Sequence, residues 1–351
     1  MTRSILITGG AGYIGTHILT LLNDPQDIIV VIDNLVCGTC DALEKAEVLA
    51  NRKLTHFCQG DLADANAMHL LTMLFQRFRF TIVIHLAAHK SIAASYRDPL
   101  TYYNNNVVST LNLVRAMSEN NCKRLIFSSS ATVYAPQIKN EPCYETSLVS
   151  ASSCYGRTKI ICENILQDVC SADPEWTVLS LRYFNPVGAH PSGNLSQNIA
   201  QDSQEGLMAA LCAAAAGRTP EFTIFGNSYN SPDGTPVRDF VHIMDLAAGH
   251  IAGIETIDIS LNGFDTVNLG TGSGTSIQEM LYCMRTVSKK SIPCRVGPQR
   301  TGDIGVVYAN VEKASTILRW SAVHDITSMC RDAWASYCAQ EHKKDSDLRQ
   351  P

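Results

Sequence analysis

Tyr155 and Lys159 stand four residues apart in Ser153-Cys-Tyr-Gly-Arg-Thr-Lys159, downstream of a glycine-rich stretch, Thr8-Gly-Gly-Ala-Gly-Tyr-Ile-Gly15. If Ser153 opens a helix, positions 155 and 159 share one face and the ammonium lies next to the phenol. A cationic neighbour favours phenolate, lowering a pKa near ~10 toward the working range of a general base. Gly9, Gly12 and Gly15 follow one strand-like run and open a helix-like one. Such a turn lets the backbone approach a pyrophosphate, whose charge the helix N-terminal amides stabilise. Asp33 ends the second strand-like run, eighteen residues beyond Gly15, where an acid either binds the adenosine ribose or caps a loop. No arginine follows to meet a 2′-phosphate, which favours NAD over NADP. A tyrosine and a lysine one turn apart also occur on ordinary surface helices. Combined with the glycines, they read as the proton-transfer half of a nicotinamide redox site.

The elements that must position these residues alternate. Short apolar runs over 4–8, 28–33, 54–59, 81–86, 124–129 and 176–182 read as strands. Amphipathic stretches over 13–23, 65–77, 99–120 and 153–170 read as the intervening helices. This alternation predicts an α/β fold with a doubly wound parallel sheet, a Rossmann architecture, with ligands at the carboxyl ends of the strands. After Asn185 the pattern becomes irregular, with helices expected over 205–216, 243–257, 276–287 and 326–338. We therefore expect an NAD-binding domain over 1–185, to which part of 240–270 returns. A smaller α/β substrate domain over 186–340 and a frayed tail over 341–351 complete the division.

Composition narrows the partners. The 351 residues are 45% hydrophobic with a net charge of -5, and basic residues do not cluster beyond two Lys-Lys pairs. Neither nucleic acid nor an anionic membrane is an expected partner. No secretory leader or membrane-spanning run is recognisable, and the thirteen scattered cysteines read as reduced thiols, so the cytoplasm is expected. Cys37-Gly-Thr-Cys40 lacks a second pair for zinc, and His85 and His89 straddle a strand end; no metal is expected.

These motifs carry a family resemblance. With Phe127-Ser-Ser-Ser-Ala-Thr-Val-Tyr134, Arg182-Tyr-Phe-Asn-Pro-Val-Gly-Ala-His-Pro-Ser-Gly193, Ile224-Phe-Gly-Asn227, Val237-Arg-Asp239 and His242-Ile-Met-Asp-Leu246, the chain resembles the UDP-glucose 4-epimerases. These are extended short-chain dehydrogenase/reductases, and the likeness runs from about Ile5 to about Tyr337. It implies reversible C4 inversion of a UDP-sugar through a transient 4-keto sugar, with tightly bound NAD, in a homodimer. Tyr155 would take the O4 proton, Lys159 would hold the ribose and depress the tyrosine pKa, and Ser130 would share in the transfer. By position, cofactor contacts fall on Gly9, Gly12, Tyr13, Ile14, Gly15, Asp33, Asn34, Asp61, Leu62, Leu86, Ala87, Ala88, Lys90, Asn105, Tyr155, Lys159 and Phe184. Ser130, Tyr155, Asn185, Phe225, Arg238, Arg300, Asp303 and Val307 fall on the nucleotide-sugar side. Read as residues alone, Arg238 and Arg300 suit a diphosphate or are surface charges, and Asn185 reads oxygens or caps a turn.

The chain departs from that pattern in three places. Glu205-Gly-Leu-Met-Ala209 replaces a segment in which relatives carry an asparagine contacting the nucleotide; Asn198 is a candidate substitute. Cys154 precedes Tyr155 in a segment where relatives often carry proline, and is expected to pack. Val307 is small where a bulky tyrosine excludes N-acetyl groups, so UDP-GlcNAc and UDP-GalNAc are expected to fit. Two rival readings remain: a dehydratase or decarboxylase on the same scaffold, and a silent dinucleotide sensor. The first wants an acid after Ser130, where Ala131 and Thr132 stand; the second is at odds with retention of Ser130, Tyr155 and Lys159.

Overall fold

The computed structural model describes residues 2–137, 140–197, 206–259, 261–300 and 303–347, with side chains to 341. The first half carries β1 (Ser4–Thr8), β2 (Ile28–Asp33), β3 (His56–Gln59), β4 (Ile82–His85), β5 (Arg124–Ser130) and β6 (Thr177–Tyr183). The second half carries β7 (Asn185–Val187), β8 (Phe222–Phe225), β9 (Val237–Arg238), β10 (Phe240–His242), β11 (Gly263–Leu269), β12 (Thr275–Ser276), β13 (Cys294–Gly297) and β14 (Val306–Val307). Seven strands form one parallel sheet in the order β11-β6-β5-β4-β1-β2-β3. Strands such as Ser4–Thr8 are buried along their whole length, as expected for a sheet covered on both faces. The doubly wound expectation is borne out.

The helices are α1 (Tyr13–Leu21), α2 (Cys40–Leu49), α3 (Ala67–Phe78), α4 (Ile92–Arg97), α5 (Pro99–Tyr103), α6 (Ser109–Glu119), α7 (Cys154–Ala172), α8 (Leu207–Ala215), α9 (Ile243–Ile259), α10 (Ile277–Ser288), α11 (Glu312–Ile317) and α12 (Ile326–Asp347). One face of the sheet packs on α1 and α9 through Ile5, Ile7, Ile18 and Leu246. The other packs Leu6 of β1 and Phe127 of β5 against Leu71, Leu113 and Leu166 of α3, α6 and α7. A third apolar cluster joins α8, α10 and α12. Three small sheets, β7–β10, β8–β13 and β12–β9–β14, carry Asn185, Phe225, Arg238 and Val307.

Strands β7 to β14 and helices α4 and α11 were not read from the sequence, and three further elements differ from it. The helix expected over 99–120 is α5 and α6 joined by a π turn at Asn104–Val108. The Asn105 and Asn106 side chains accept from the His89 amide at 3.1 and 2.8 Å, anchoring the wider turn. α2 went unread because only Leu43 and Ala46 of its ten residues are buried, leaving little periodicity. α12 continues to Asp347 rather than ending at 338, its charged last turns being compatible with helix.

Candidate active site

The glycine turn is built for close approach. Gly9 has φ +68, and a Cβ there would lie 2.7 Å from the Ala87 amide nitrogen. At Gly15 a Cβ would lie 2.5 Å from Gly10 Cα, so α1 can seat on the turn only with glycine. Gly12 is the N-cap of α1, which puts the amides of Tyr13, Ile14 and Gly15 in its first turn. Beside it, the buried Asp33 accepts from the Ala11 amide at 3.0 Å and the Leu35 amide at 2.8 Å. The loop-capping and ribose readings of Asp33 are thus compatible, because a carboxylate has lone pairs for both. Burial raises its pKa while the two amides act against that.

Asn34 donates to Asp61 at 2.9 Å across the ends of β2 and β3, next to the buried Leu62. Leu86 and Ala87 follow β4, their amides held by the Thr8 carbonyl at 3.0 Å and its hydroxyl at 3.3 Å. The loop continues through Ala88 and the exposed Lys90 toward Asn105. Phe184 is buried at the end of β6. A turn that any side chain would fill, a helix N-terminus and a fixed carboxylate at the next strand end form a cradle that fits NAD. His85, placed under this cradle, meets Thr8 at 2.7 Å and Thr110 at 3.0 Å through its two ring nitrogens, a packing role.

Ser153 does open α7: its hydroxyl accepts from the Gly156 amide at 3.0 Å. Tyr155 and Lys159 therefore share the inner face. Ser130 at the end of β5, its hydroxyl accepting from the Thr132 amide at 3.2 Å and hydroxyl at 3.0 Å, lies near enough to Tyr155 to favour the phenolate. One expectation is corrected. Burial pushes the Tyr155 phenol up to about 12, opposed by Ser130, and Lys159 does not offset it. The physical reason is placement. Lys159 Nζ donates to the Ser128 carbonyl at 2.7 Å and lies 4.9 Å from the Phe127 ring centre, but 5.9 Å from that of Tyr155. Burial in turn pulls Lys159 down to about 8. Cys154 is buried, its thiol directed at the Pro99 carbonyl at 3.8 Å, which is packing as expected.

Across from these strand ends, Arg238 forms an ion pair with Asp303, and Tyr229 donates to the same carboxylate at 3.2 Å. Asp303 thus stands as the counter-ion of Arg238. The Arg300 guanidinium lies 4.0 Å above the Phe225 ring, a cation–π contact. Asn185 is exposed in β7, its amide bound to the Asp239 carbonyl at 2.9 Å. Val307 pairs with Arg238 and packs against the cluster of Val133, Tyr134 and Phe184. Glu205 and Asn198 lie outside the described residues.

A buried polar network behind the site was not read from the sequence. Glu163 accepts from Ser129 at 2.6 Å, Ser180 at 2.9 Å and Arg182 at 2.8 and 3.0 Å. Arg182 also donates to Tyr134 at 3.1 Å, and Tyr134 to Asn268 of β11 at 2.6 Å. Asn106 donates to the His89 carbonyl at 3.1 Å and to Thr158 at 2.9 Å, tying the β4 loop to α7. The spacing of Glu163, four residues beyond Lys159, was the one available signal.

Comparison with known proteins agrees with this geometry. A profile of the NAD dependent epimerase/dehydratase family matches residues 5–270. UDP-glucose 4-epimerase 2 of Arabidopsis thaliana is 44% identical over 336 residues, covering 95% of each chain. The crystal structure of UDP-glucose 4-epimerase from Bifidobacterium longum, in complex with NAD+ and UDP, is 36% identical. It superposes with a TM-score of 0.89 over 97% of this chain and 99% of its own. The Stenotrophomonas maltophila UDP-glucose-4-epimerase, with bound NAD and formylated UDP-arabinopyranose, is 35% identical with a TM-score of 0.92 over 97% and 99%. The doubly wound sheet matches those of UDP-glucose 4-epimerase structures, and the chain belongs to the NAD dependent epimerase/dehydratase family.

Proposed function

We propose that this chain inverts C4 of UDP-glucose and UDP-galactose reversibly, with Tyr155 as the proton-transfer group. The observation that carries the reading is the meeting of Ser130, Tyr155 and Lys159 at the strand ends beside the glycine turn, with Ala131 and Thr132, not an acid, after Ser130. NAD, when bound, supplies an acceptor for the hydrogen of C4 and a positive ring that favours the phenolate. Gly9, Gly12, the amides of Tyr13, Ile14 and Gly15, the Asp33 carboxylate, the Asn34–Asp61 pair and the 86–90 loop would hold it.

Tyr155 takes the proton of O4 as the alcohol becomes a ketone and returns it when the ketone is reduced. Ser130 hydrogen-bonds the same oxygen and keeps it in line with the phenol. Lys159, held by the Ser128 carbonyl, presents a donor to the ribose and fixes the height of α7 against β5. Arg238 and Arg300 meet the diphosphate and Phe225 the uracil, while Asn185 reads the sugar side. A small side chain at Val307 leaves room at C2, so UDP-GlcNAc and UDP-GalNAc are substrates as well. Absence of UDP-GalNAc turnover by enzyme that converts UDP-Gal counts against this extension.

The protein acts as a homodimer in the cytoplasm. Ile92, Tyr96, Leu100 and Leu111 of α4, α5 and α6 are 45, 51, 79 and 43% exposed, an apolar face suited to a second copy. A monomer mass in sedimentation equilibrium contradicts that assembly. The free state of all thirteen cysteines suits a reducing compartment, checked by fractionation. The assay for the activity itself is interconversion of UDP-Gal and UDP-Glc by parent and Tyr155→Phe. A loss of ~10²–10⁴-fold in kcat is expected of a removed acid–base group, and an unchanged rate rules out Tyr155 as the base.

A further inference from the structure

The three consecutive serines that end β5 have three different partners. Ser128 gives its carbonyl to Lys159, and the Ser130 hydroxyl accepts from the Thr132 amide and hydroxyl and lies close enough to the Tyr155 phenol to favour its phenolate. Ser129 points the other way, fully buried, and donates to Glu163 Oε1 at 2.6 Å. Glu163 lies on α7 one turn beyond Lys159 and two beyond Tyr155, and Arg182 of β6 binds both of its oxygens. The strand needs this hold. Pairing of β5 with β4 stops at His85↔Phe127, so residues 128–130 are laddered to β6 alone. A hydrogen bond to a charged, buried acceptor is among the stronger ones, and catalytic groups need placement to about 0.5 Å.

We infer that Ser129, backed by the Glu163–Arg182 pair, is a positioning residue for the epimerisation: it sets the one-sided end of β5 against the face of α7 that carries Tyr155 and Lys159. The inference rests on the reading above, in which Tyr155 and Ser130 move the O4 proton.

Ser180 supplies the control. Its hydroxyl is equally buried and donates to the same Oε1 at 2.9 Å, but from β6, which carries neither Ser128 nor Ser130. Ser129→Ala and Ser180→Ala are purified as holoenzyme and compared for Tm, and for kcat and KM on UDP-Gal across pH. Both variants lose comparable Tm. Only Ser129→Ala loses kcat, by ~10-fold or more with KM within about twofold, the size of one charged hydrogen bond. Its acid limb of kcat also moves to higher pH, because a loosened Ser130 no longer favours the phenolate. Ser129→Cys, nearly isosteric with a weak donor, gives the same direction at smaller size should the alanine variant not fold. Equal kcat and equal pH limbs in Ser129→Ala and Ser180→Ala overturn the inference and leave the network merely structural. Tyr155→Phe run alongside separates the two failures: at the parent's rate it removes the underlying reading, and inactive it leaves only the positioning role in question.

Discussion

Tyr155 and Lys159 are matched in reverse by the chain itself, the phenol pushed up to about 12 and the ammonium pulled down to about 8, both by burial. The lysine then sets an alkaline limit. Lys159 is charged below about 8 and loses its charge above it, so kcat falls as pH rises through that region. Lys159→Arg, slower overall, has no such limb because guanidinium stays protonated; a limb of unchanged position in that variant removes Lys159 as its source. Much at this scale was legible because chemistry fixes residue type: glycine for close approach, an acid for a ribose, tyrosine beside lysine. Ser129, Glu163 and Arg182 were not, since a buried ion pair leaves the same letters in a sequence as two surface charges. Nor was the direction of the tyrosine shift. Spacing reports which face a side chain shares, while its pKa depends on how deeply that face is buried.

At the level of elements, the turn between β1 and α1 does most to place the cofactor. Gly9→Ala must adopt φ +68 and push against Ala87, so the variant is expected to lose NAD. Bound nicotinamide per subunit after gel filtration measures this, and full occupancy contradicts it. The strands were easy to read since a sheet covered on both sides demands unbroken apolar runs. β11 was harder: Asp265, Thr266 and Asn268 interrupt its pattern, and Asn268 is buried among polar partners that only the fold brings together. The π turn at Asn104–Val108 was invisible for a similar reason. Its cause is the His89 amide, which approaches from another loop.

Across the whole molecule, buried neutral histidines link folding to pH. His17, His85, His242 and His250 are lowered by burial to about 4, 3, 4 and 4. Their unfolded values lie near ~6.5, so between the two limits the unfolded chain binds more protons. The stability they confer is complete above that value and is lost as pH falls toward 4, at up to ~1.4 kcal/mol per pH unit for each histidine. Urea midpoints level from pH 7 to 8 and falling steadily from 6.5 to 4 are expected; a midpoint that rises on acidification contradicts the assignment. At this scale the sequence revealed the alternating half plainly. The order of the seven strands depended on β11 returning to β6 across eighty residues, which no local pattern encodes.

The most direct test of the account follows the hydrogen at C4. UDP-galactose is incubated with the holoenzyme in D2O and the UDP-glucose formed is examined by proton NMR. A site that passes only the O4 proton through Tyr155 and keeps the C4 hydrogen within the enzyme yields product with protium at C4. No UDP-glucose, or product carrying deuterium at C4, contradicts it.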